Sequence, residues 1–263
     1  MTNPVATLHA RVEGPIRWIV IDNQSRLNAF TRDMWAAVPK LVAAADSDPD
    51  CRVIVFTGAG ERAFSAGADI SEFAGNRTGY AARLYDEIND AAYRAILAAR
   101  KPTIAMVRGY CFGGACELAV CCDLRLVADD AVFSVPSAKL SLGYNPRWIK
   151  PMLQVMSPAK AKEMLFTGRR YGAADALQMG LASQVVPAAA HLAETLKLAG
   201  EIAANAPLSI HAAKVAVDEM VRNPESADMA RLEALAAACF DSEDYKEGQR
   251  AFLEKRKPVF RGR

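Results

Sequence analysis

Short β-rich runs that alternate with longer helical patterns constrain the fold of this chain more than any other feature. Apolar runs with many β-branched residues at 17–22, 52–57 and 102–107 predict three strands. After Thr31, apolar residues recur at spacings of three and four, which predicts a helix with that threonine as its N-cap. A more polar helix is predicted from about 78 to 99. This order predicts an α/β protein with right-handed crossovers.

The second half of the chain changes from this alternation to helices. Residues 124–128 and 131–134 predict two further strands. From about Pro158 onward the pattern is almost wholly helical and rich in alanine. No low-complexity linker marks the change, so the two parts are expected to pack together. We therefore predict an α/β core over residues 1–195 and a helical C-terminal region over 196–263.

The charge balance argues against nucleic-acid and membrane partners. The chain has 32 basic and 30 acidic residues, a formal net charge of +2. Such a balance gives no large electrostatic surface for nucleic acid or anionic lipid. Residues 1–11 lack a basic segment followed by an apolar one, and no stretch stays apolar for the roughly 18 residues that a membrane span needs. We expect a cytoplasmic protein.

Cysteine and histidine spacing gives no metal site. Six cysteines are present, and the four within residues 111–122 lack the spacing of a zinc site. His9, His191 and His211 stand alone. We therefore predict reduced, mostly buried thiols and no bound metal.

Two glycine turns carry the most informative chemistry. The first is Ala-Phe-Ser-Ala-Gly-Ala-Asp-Ile at 63–70, a turn of small residues whose amides are expected to be exposed donors. The second, at 107–117, opens a helix near Gly114, where free amides and the helix dipole favour a negative oxygen. Glu117 follows one helical turn later and can place a carboxyl beside that oxygen. Taken singly, each turn is also typical of an ordinary connection, and Glu117 of a first-turn acid.

Together the two turns closely resemble the signature segments of the crotonase family, the enoyl-CoA hydratases and isomerases. The second signature here reads Gly-Gly-Ala-Cys-Glu-Leu, residues 113–118. The resemblance extends to residues 26–29, 165–168, 173–181 and 247–258, in the family's order. It therefore covers nearly the whole chain.

This resemblance implies a fold, an assembly and a substrate. The fold is a spiral of repeated ββα units with a C-terminal helical trimerisation region, in a homotrimer or a hexamer made of two trimers. The substrate is an acyl-CoA thioester, so coenzyme A enters as part of the substrate and no separate cofactor is expected. By resemblance, the amides of Ala68 and Gly114 hold the thioester oxygen and Glu117 carries a proton.

The resemblance also implies a set of contacts to coenzyme A. In chain order these are Arg26, Ala66, Ala68, Asp69, Ile70, Ser71, Gly114, Phe252 and Lys255. Phe252 and Lys255 match positions that in relatives often reach a neighbouring subunit's ligand. The charged residues around Lys255 are equally typical of a solvated helix face.

The sequence departs from the hydratase pattern at two positions. Hydratases carry a second catalytic glutamate after a proline, and here Ser137 follows Pro136. A serine hydroxyl does not replace a carboxylate as a proton carrier near neutral pH. Tyr144 and Asn145 resemble a pair in the family's acyl-CoA decarboxylases, so Tyr144 and Ser137 join the candidate catalytic residues.

Several activities therefore stay open at this stage. Enoyl-CoA hydration or isomerisation is the general prediction, and decarboxylation of a methylmalonyl-CoA-like substrate is the alternative. A non-catalytic acyl-CoA-binding homologue is a further alternative, against which Glu117 argues. One family branch binds RNA through lysines on an exposed helix, but the helix after Thr31 offers only Arg32 and Lys40. RNA binding is not expected.

Overall fold

A computed structural model describes residues 6–72 and 79–263 of the chain. Residues 1–5 of the N-terminal segment and Thr78, where the second predicted helix begins, lie outside the described residues. Two sheets and the helices around them make a mixed α/β architecture, as predicted.

The larger sheet contains the three strands predicted first. Its six strands lie in the order β1-β2-β3-β5-β7-β10. Their bounds are β1 Thr7–Glu13, β2 Ile16–Asp22, β3 Val53–Gly58, β5 Thr103–Val107, β7 Leu124–Ala128 and β10 Gln184–Val186. β1 is antiparallel to β2, and all other neighbours are parallel. β1 and the short β10 were not predicted from the sequence.

The smaller sheet has four short strands in the order β4-β6-β8-β9. Their bounds are β4 Ala63–Ser65, β6 Tyr110–Phe112, β8 Val132–Ser134 and β9 Tyr171–Gly172. β4, β6 and β8 pair in parallel. Each of the pairs β3 and β4, β5 and β6, and β7 and β8 is thus divided between the two sheets. This repeated division is what a spiral of ββα units requires.

Ten helices are described in these two ranges, most of them where the periodicity predicts them. Their bounds are α1 Arg32–Ser47, α2 Gly79–Leu97, α3 Gly114–Cys121, α4 Pro146–Val155, α5 Pro158–Thr167, α6 Ala173–Met179, α7 His191–Ala203, α8 Pro207–Arg222, α9 Met229–Phe240 and α10 Glu243–Leu253. Thr31 is the N-cap of α1, since its side chain accepts a hydrogen bond from the Met34 amide. α4 was not predicted; the Asn145 side chain caps it by accepting from the Arg147 amide.

Apart from its exposed edge strand β1, the larger sheet is largely buried on both faces, which explains the nearly continuous apolar sequences of its inner strands. Ile19, Ile54 and Phe56 belong to the main core with residues of α1, α2 and α3. Trp18 and Val55 point the other way, toward Ala199 of α7. The alternation of side chains along each strand produces these two cores.

The C-terminal helices are packed less completely than the core. The predicted division between residues 195 and 196 falls inside α7, whose Thr195 and Ala199 are fully buried. No residue of α8 is buried, although Lys214 Nζ ties that helix to Asp123 at 2.7 Å. Apolar side chains such as Phe240 and Phe252 remain exposed.

The search for membrane-spanning helices gave a negative result. Among residues 6–72 and 79–263, no helix combines the length and apolar character needed to cross a bilayer. The cytoplasmic location stays a prediction.

Candidate active site

The fold brings the two glycine turns side by side. β4 and β6 pair in parallel, so the segments that follow them leave the small sheet together. Gly67 has a φ of +93°, and a Cβ atom there would lie 2.6 Å from the Phe112 carbonyl oxygen and 3.6 Å from the Gly114 nitrogen. Only glycine permits this backbone angle and this close approach.

In the first turn, hydrogen bonds within the chain occupy the amides of Ala66, Gly67 and Asp69 and leave that of Ala68 without a partner among the described residues. The Ala66 amide donates to Leu27, and the Gly67 amide donates to the Ser65 hydroxyl. Phe30 then pairs with Gly67 and Asp69 across a parallel bridge. Within the described ranges, the Ala68 N–H has no acceptor. The expectation that the whole turn offers free donors is therefore wrong, because chain pairing occupies most of them.

In the second turn, the Gly114 amide is among those left without an acceptor in the described residues. Gly113 is the N-cap of α3, and its own amide donates to the Ser134 carbonyl at 2.8 Å. Gly114 is the first helical residue, where an N–H has no partner inside the helix. No described residue accepts from it. The Ala68 and Gly114 amides, one from each turn, are thus both without an acceptor, and the two turns approach each other closely at Gly67.

Glu117 lies in the first turn of α3 and is buried, with 1% of its surface exposed. Burial raises the pKa of its carboxyl to about 8, although hydrogen bonds from Tyr144 and Cys121 act in the opposite direction. The carboxyl therefore changes protonation state near physiological pH. A carboxylic acid with this property is suited to carry a proton in either direction.

Tyr144 is the direct partner of this carboxyl. Its hydroxyl donates to Glu117 Oε2 at 3.0 Å. Its ring packs edge-on against Trp148, which in turn contacts Tyr93 in the same geometry. Burial, followed by the charge of Glu117, raises the pKa of the Tyr144 hydroxyl. The tyrosine is thus held as a neutral donor.

A charged cluster lies just after the first turn. Arg26 Nη1 contacts Asp69 Oδ1 at 2.8 Å and Oδ2 at 3.0 Å, and also donates to the Ser71 hydroxyl. Burial opposes ionisation of Asp69, but hydrogen bonds from Ser71 and Arg26 outweigh it and lower the carboxyl pKa. The Arg26 side chain remains half exposed, and Ile70 is also exposed. The cluster presents a cation and an apolar side chain at the surface.

The remaining predicted residues are less clearly connected to these turns. Ser137 begins a short 3₁₀ turn, Ser137–Leu140, and is half-buried; its hydroxyl has no hydrogen-bond partner among the described residues. Phe252 and Lys255 lie at the end of α10, and Phe252 is 83% exposed. No hydrogen bond or ring contact described here joins these three residues to Glu117 or Gly114.

Two residues near the site were missed by sequence reasoning. Cys121 lies four residues after Glu117, and its Sγ is 3.8 Å from Glu117 Oε1. Helical spacing alone predicts that contact. Tyr93 donates to the Gly114 carbonyl at 3.0 Å, and this contact between α2 and α3 has no local sequence signal.

The described residues contain no group of three or more histidine, cysteine or acidic side chains that could hold a metal ion. They do bring together two glycine turns with unpartnered amides and a helix whose first turn carries one buried carboxyl. Such an arrangement can bind an oxygen that becomes negative and move a proton next to it.

Comparisons with known proteins give one consistent result. The sequence profile of a family described as enoyl-CoA hydratase/isomerase matches residues 11–263. Crotonyl-CoA hydratase of Syntrophomonas wolfei is 34% identical over 244 residues, covering 92% of this chain and 93% of that protein. Carnitinyl-CoA dehydratase of Escherichia coli K12 is 34% identical over 265 residues, covering 98% and 99%.

A solved structure agrees with the sequence comparisons. An enoyl-CoA hydratase/carnithine racemase from Magnetospirillum magneticum superposes with a TM-score of 0.93 at 34% identity, covering 97% of this chain and 96% of that one. This superposition confirms the predicted spiral fold.

Proposed function

Because this chain belongs to the enoyl-CoA hydratase/isomerase family, we propose that it stabilises an acyl-CoA thioester enolate between the amides of Ala68 and Gly114. Glu117 carries the proton. The chain is an enzyme of the hydratase/isomerase type. The observation that carries the assignment of Glu117 is its burial with a pKa of about 8, one helical turn after the free Gly114 amide.

The two amides act on the charge that develops during reaction. When a nucleophile adds to the β-carbon of an enoyl thioester, the electron pair of the double bond moves to the thioester oxygen. The amide donors are already oriented and have no other acceptor among the described residues. They therefore stabilise the enolate oxygen more than the neutral carbonyl, which lowers the barrier.

A single carboxyl is sufficient for the proton transfers of hydration. Ionised Glu117 accepts a proton from water as the water oxygen bonds to the β-carbon. The same carboxyl then returns that proton to the α-carbon of the enolate. A pKa of about 8 keeps both protonation states accessible for this cycle.

Tyr144 and Ser137 support decarboxylation as a second candidate. Loss of carbon dioxide from a 2-carboxyacyl thioester gives the same enolate and needs no second acid. Ser137 provides none, and Tyr144 holds Glu117 by a 3.0 Å hydrogen bond. The names of the relatives, crotonyl-CoA hydratase and carnitinyl-CoA dehydratase, favour addition or elimination of water.

We further propose that coenzyme A lies along the surface of residues 66–71. Arg26 is half exposed there and supplies a guanidinium for a phosphate. Asp69 holds that guanidinium in place, because its Oδ1 accepts from Arg26 Nη1 at 2.8 Å. Phe252 and Lys255, at the end of α10, are assigned to the coenzyme A of a neighbouring subunit.

That assignment requires an oligomer, and we propose a homotrimer or a dimer of trimers joined through residues 196–263. Exposed apolar side chains in this region support it: Phe240 is 63% exposed and Phe252 is 83% exposed. Patches of this kind on a folded chain mark association surfaces. Light scattering after size exclusion gives the mass directly; a monomer at micromolar concentration would contradict the assembly.

Turnover of three thioesters tests the proposed chemistry. Crotonyl-CoA, a 3-enoyl-CoA and methylmalonyl-CoA report hydration, isomerisation and decarboxylation. We expect one of them to be consumed by the wild type and its rate to fall roughly 10³-fold in Glu117→Gln, which keeps the shape but cannot ionise. If all three bind and none is converted, the assignment of this chemistry fails.

A further inference from the structure

A second cavity lies away from the glycine turns. It has a volume of about 300 Å³ and opens between the segments that precede β3 and β5, the first turns of α8 and the C-terminal tail. Arg52 and Lys101 stand at the amino ends of β3 and β5. None of the residues that line the cavity belongs to the glycine turns or to α3, so the cavity is separate from the site around Glu117.

We call this cavity the basic pocket because of its charges. Its wall carries the cationic side chains of Arg52, Arg100, Lys101 and Arg261. Among residues 6–72 and 79–263, none of these four cations forms an ion pair. Like charges that line one cavity without a counter-charge repel one another.

The described wall contains one carboxylate, that of Asp46, and its Oδ1 atom accepts hydrogen bonds from the backbone. Asp46 Oδ1 accepts from the amides of Arg100 at 2.7 Å and Lys101 at 2.8 Å. Burial and the nearby charge of Arg100 lower the pKa of His211, which also lines the pocket. With four cationic side chains and one carboxylate, the described wall carries a net positive charge.

Two of the cations are carried by fixed segments. Arg52 Nη2 donates to the Phe260 carbonyl at 3.0 Å. The next residues of the tail are held by the buried Asp244 carboxylate, which accepts from the amides of Arg261 at 2.6 Å and Gly262 at 2.7 Å. Both contacts hold the chain without neutralising either guanidinium.

The ends of two helices also contribute to the electrostatics of the pocket. α8 begins beside the pocket with Pro207, and its N-cap Ala206 supplies no side-chain acceptor for the first amides. Those amides give the same positive sign as the cations. Arg100 and Lys101 follow the C-terminal end of α2, where the dipole by itself favours a cation. The helix dipole gives no reason for Arg52 and Arg261 to line the pocket. These two arginines therefore distinguish an anion-binding site from helix capping.

We propose that the basic pocket binds a compact phosphate-bearing anion of the pyrophosphate type. Guanidinium groups from two chain segments can each contact phosphate oxygens with paired N–H donors. The volume of about 300 Å³ accommodates such a group. The proposal does not depend on the chemistry assigned to Glu117.

Calorimetric titration of the intact protein with sodium pyrophosphate tests this site. We expect saturable binding with one site per chain, weakening steeply between roughly 50 and 200 mM salt. In the double variant Arg52→Gln and Arg261→Gln, the dissociation constant should rise by roughly tenfold or more. The matched control is Arg62→Gln with Arg231→Gln, which removes the same charge from two exposed arginines outside the pocket and should leave binding unchanged.

A second variant separates this pocket from the proposed coenzyme A surface. Arg26→Gln should leave pyrophosphate binding unchanged. Pyrophosphate binding that is lost in Arg26→Gln and kept in the Arg52 and Arg261 variant would overturn the proposal. Absence of saturable binding at low salt by a protein with the wild-type unfolding temperature would also overturn it.

Discussion

Two segments that the family resemblance places at the active site are built very differently in this chain. The start of α3 presents Gly114 and the buried Glu117, whose carboxyl has hydrogen-bond donors on both oxygens. The turn at Ser137 offers a half-buried hydroxyl without a described partner. One segment carries a buried carboxyl that we propose to transfer protons, and the other has no ionisable group at Ser137.

The two segments differ in the free-energy cost of burying a polar side chain. Burying a carboxyl is unfavourable unless it is neutral or well bonded. That the chain keeps Glu117 buried indicates a role in chemistry. At Ser137 the equivalent cost is absent. We infer that this enzyme works with one carboxyl, supported by Tyr144.

The largest expected effect concerns the stability cost of Glu117. Its pKa is near 4.5 when unfolded and about 8 when folded. The folded state therefore holds the proton more tightly, so stability is greatest below the unfolded value and falls as pH rises toward 8. We expect a loss on the order of a few kcal/mol between pH 5 and 9. Denaturant unfolding of the wild type and Glu117→Gln measures it; an equal slope against pH in both proteins would remove Glu117 as its cause.

The next prediction tests the position of the Gly114 amide, which lies in the same segment as Glu117. In Gly114→Ala the new methyl would lie 2.8 Å from Tyr93 Oη and 3.2 Å from the Trp35 ring, so the start of α3 or these two side chains must shift. We expect kcat to fall roughly 10²-fold. Gly200→Ala, in open space on α7, is the control and should keep wild-type activity. Equal activity in both variants would show that the position of the Gly114 amide is unimportant.

A smaller effect tests the support of Glu117 by Tyr144. Removing the hydroxyl in Tyr144→Phe deletes a hydrogen bond that lowers the carboxyl pKa. The limb of the pH profile that reports Glu117 should move from about 8 to higher pH, with a loss in kcat of roughly tenfold. Tyr245→Phe on α10 serves as the control. An unchanged pH limb in Tyr144→Phe would limit Tyr144 to packing.

The smallest effect is expected in the second segment, at Ser137. Ser137→Ala removes a hydroxyl that has no partner among the described residues. We expect kcat/KM to change by less than roughly threefold for the substrate that is turned over. A loss above roughly tenfold would show that Ser137 takes part in the reaction and that the two segments share the chemistry.

The sequence predicted the parts of the molecule that have local signals. Thr31 as a cap, the strand at 124–128 and Glu117 one turn after Gly114 all follow from spacing within a few residues. The Tyr144 hydrogen bond joins residues that are 27 positions apart, so the sequence could only suggest Tyr144 through resemblance. The availability of the Ala68 amide depends on Phe30, which lies in another segment and pairs with both neighbours of Ala68.

Exchange of the α-hydrogens of butyryl-CoA in deuterium oxide, followed by NMR, tests the central claim most directly. This saturated thioester can form the enolate but cannot undergo hydration or decarboxylation. We predict exchange catalysed by the wild type and a loss of roughly 10³-fold in Glu117→Gln, with binding of the thioester retained. Exchange at the same rate in Glu117→Gln would contradict the account, because another group would then carry the proton.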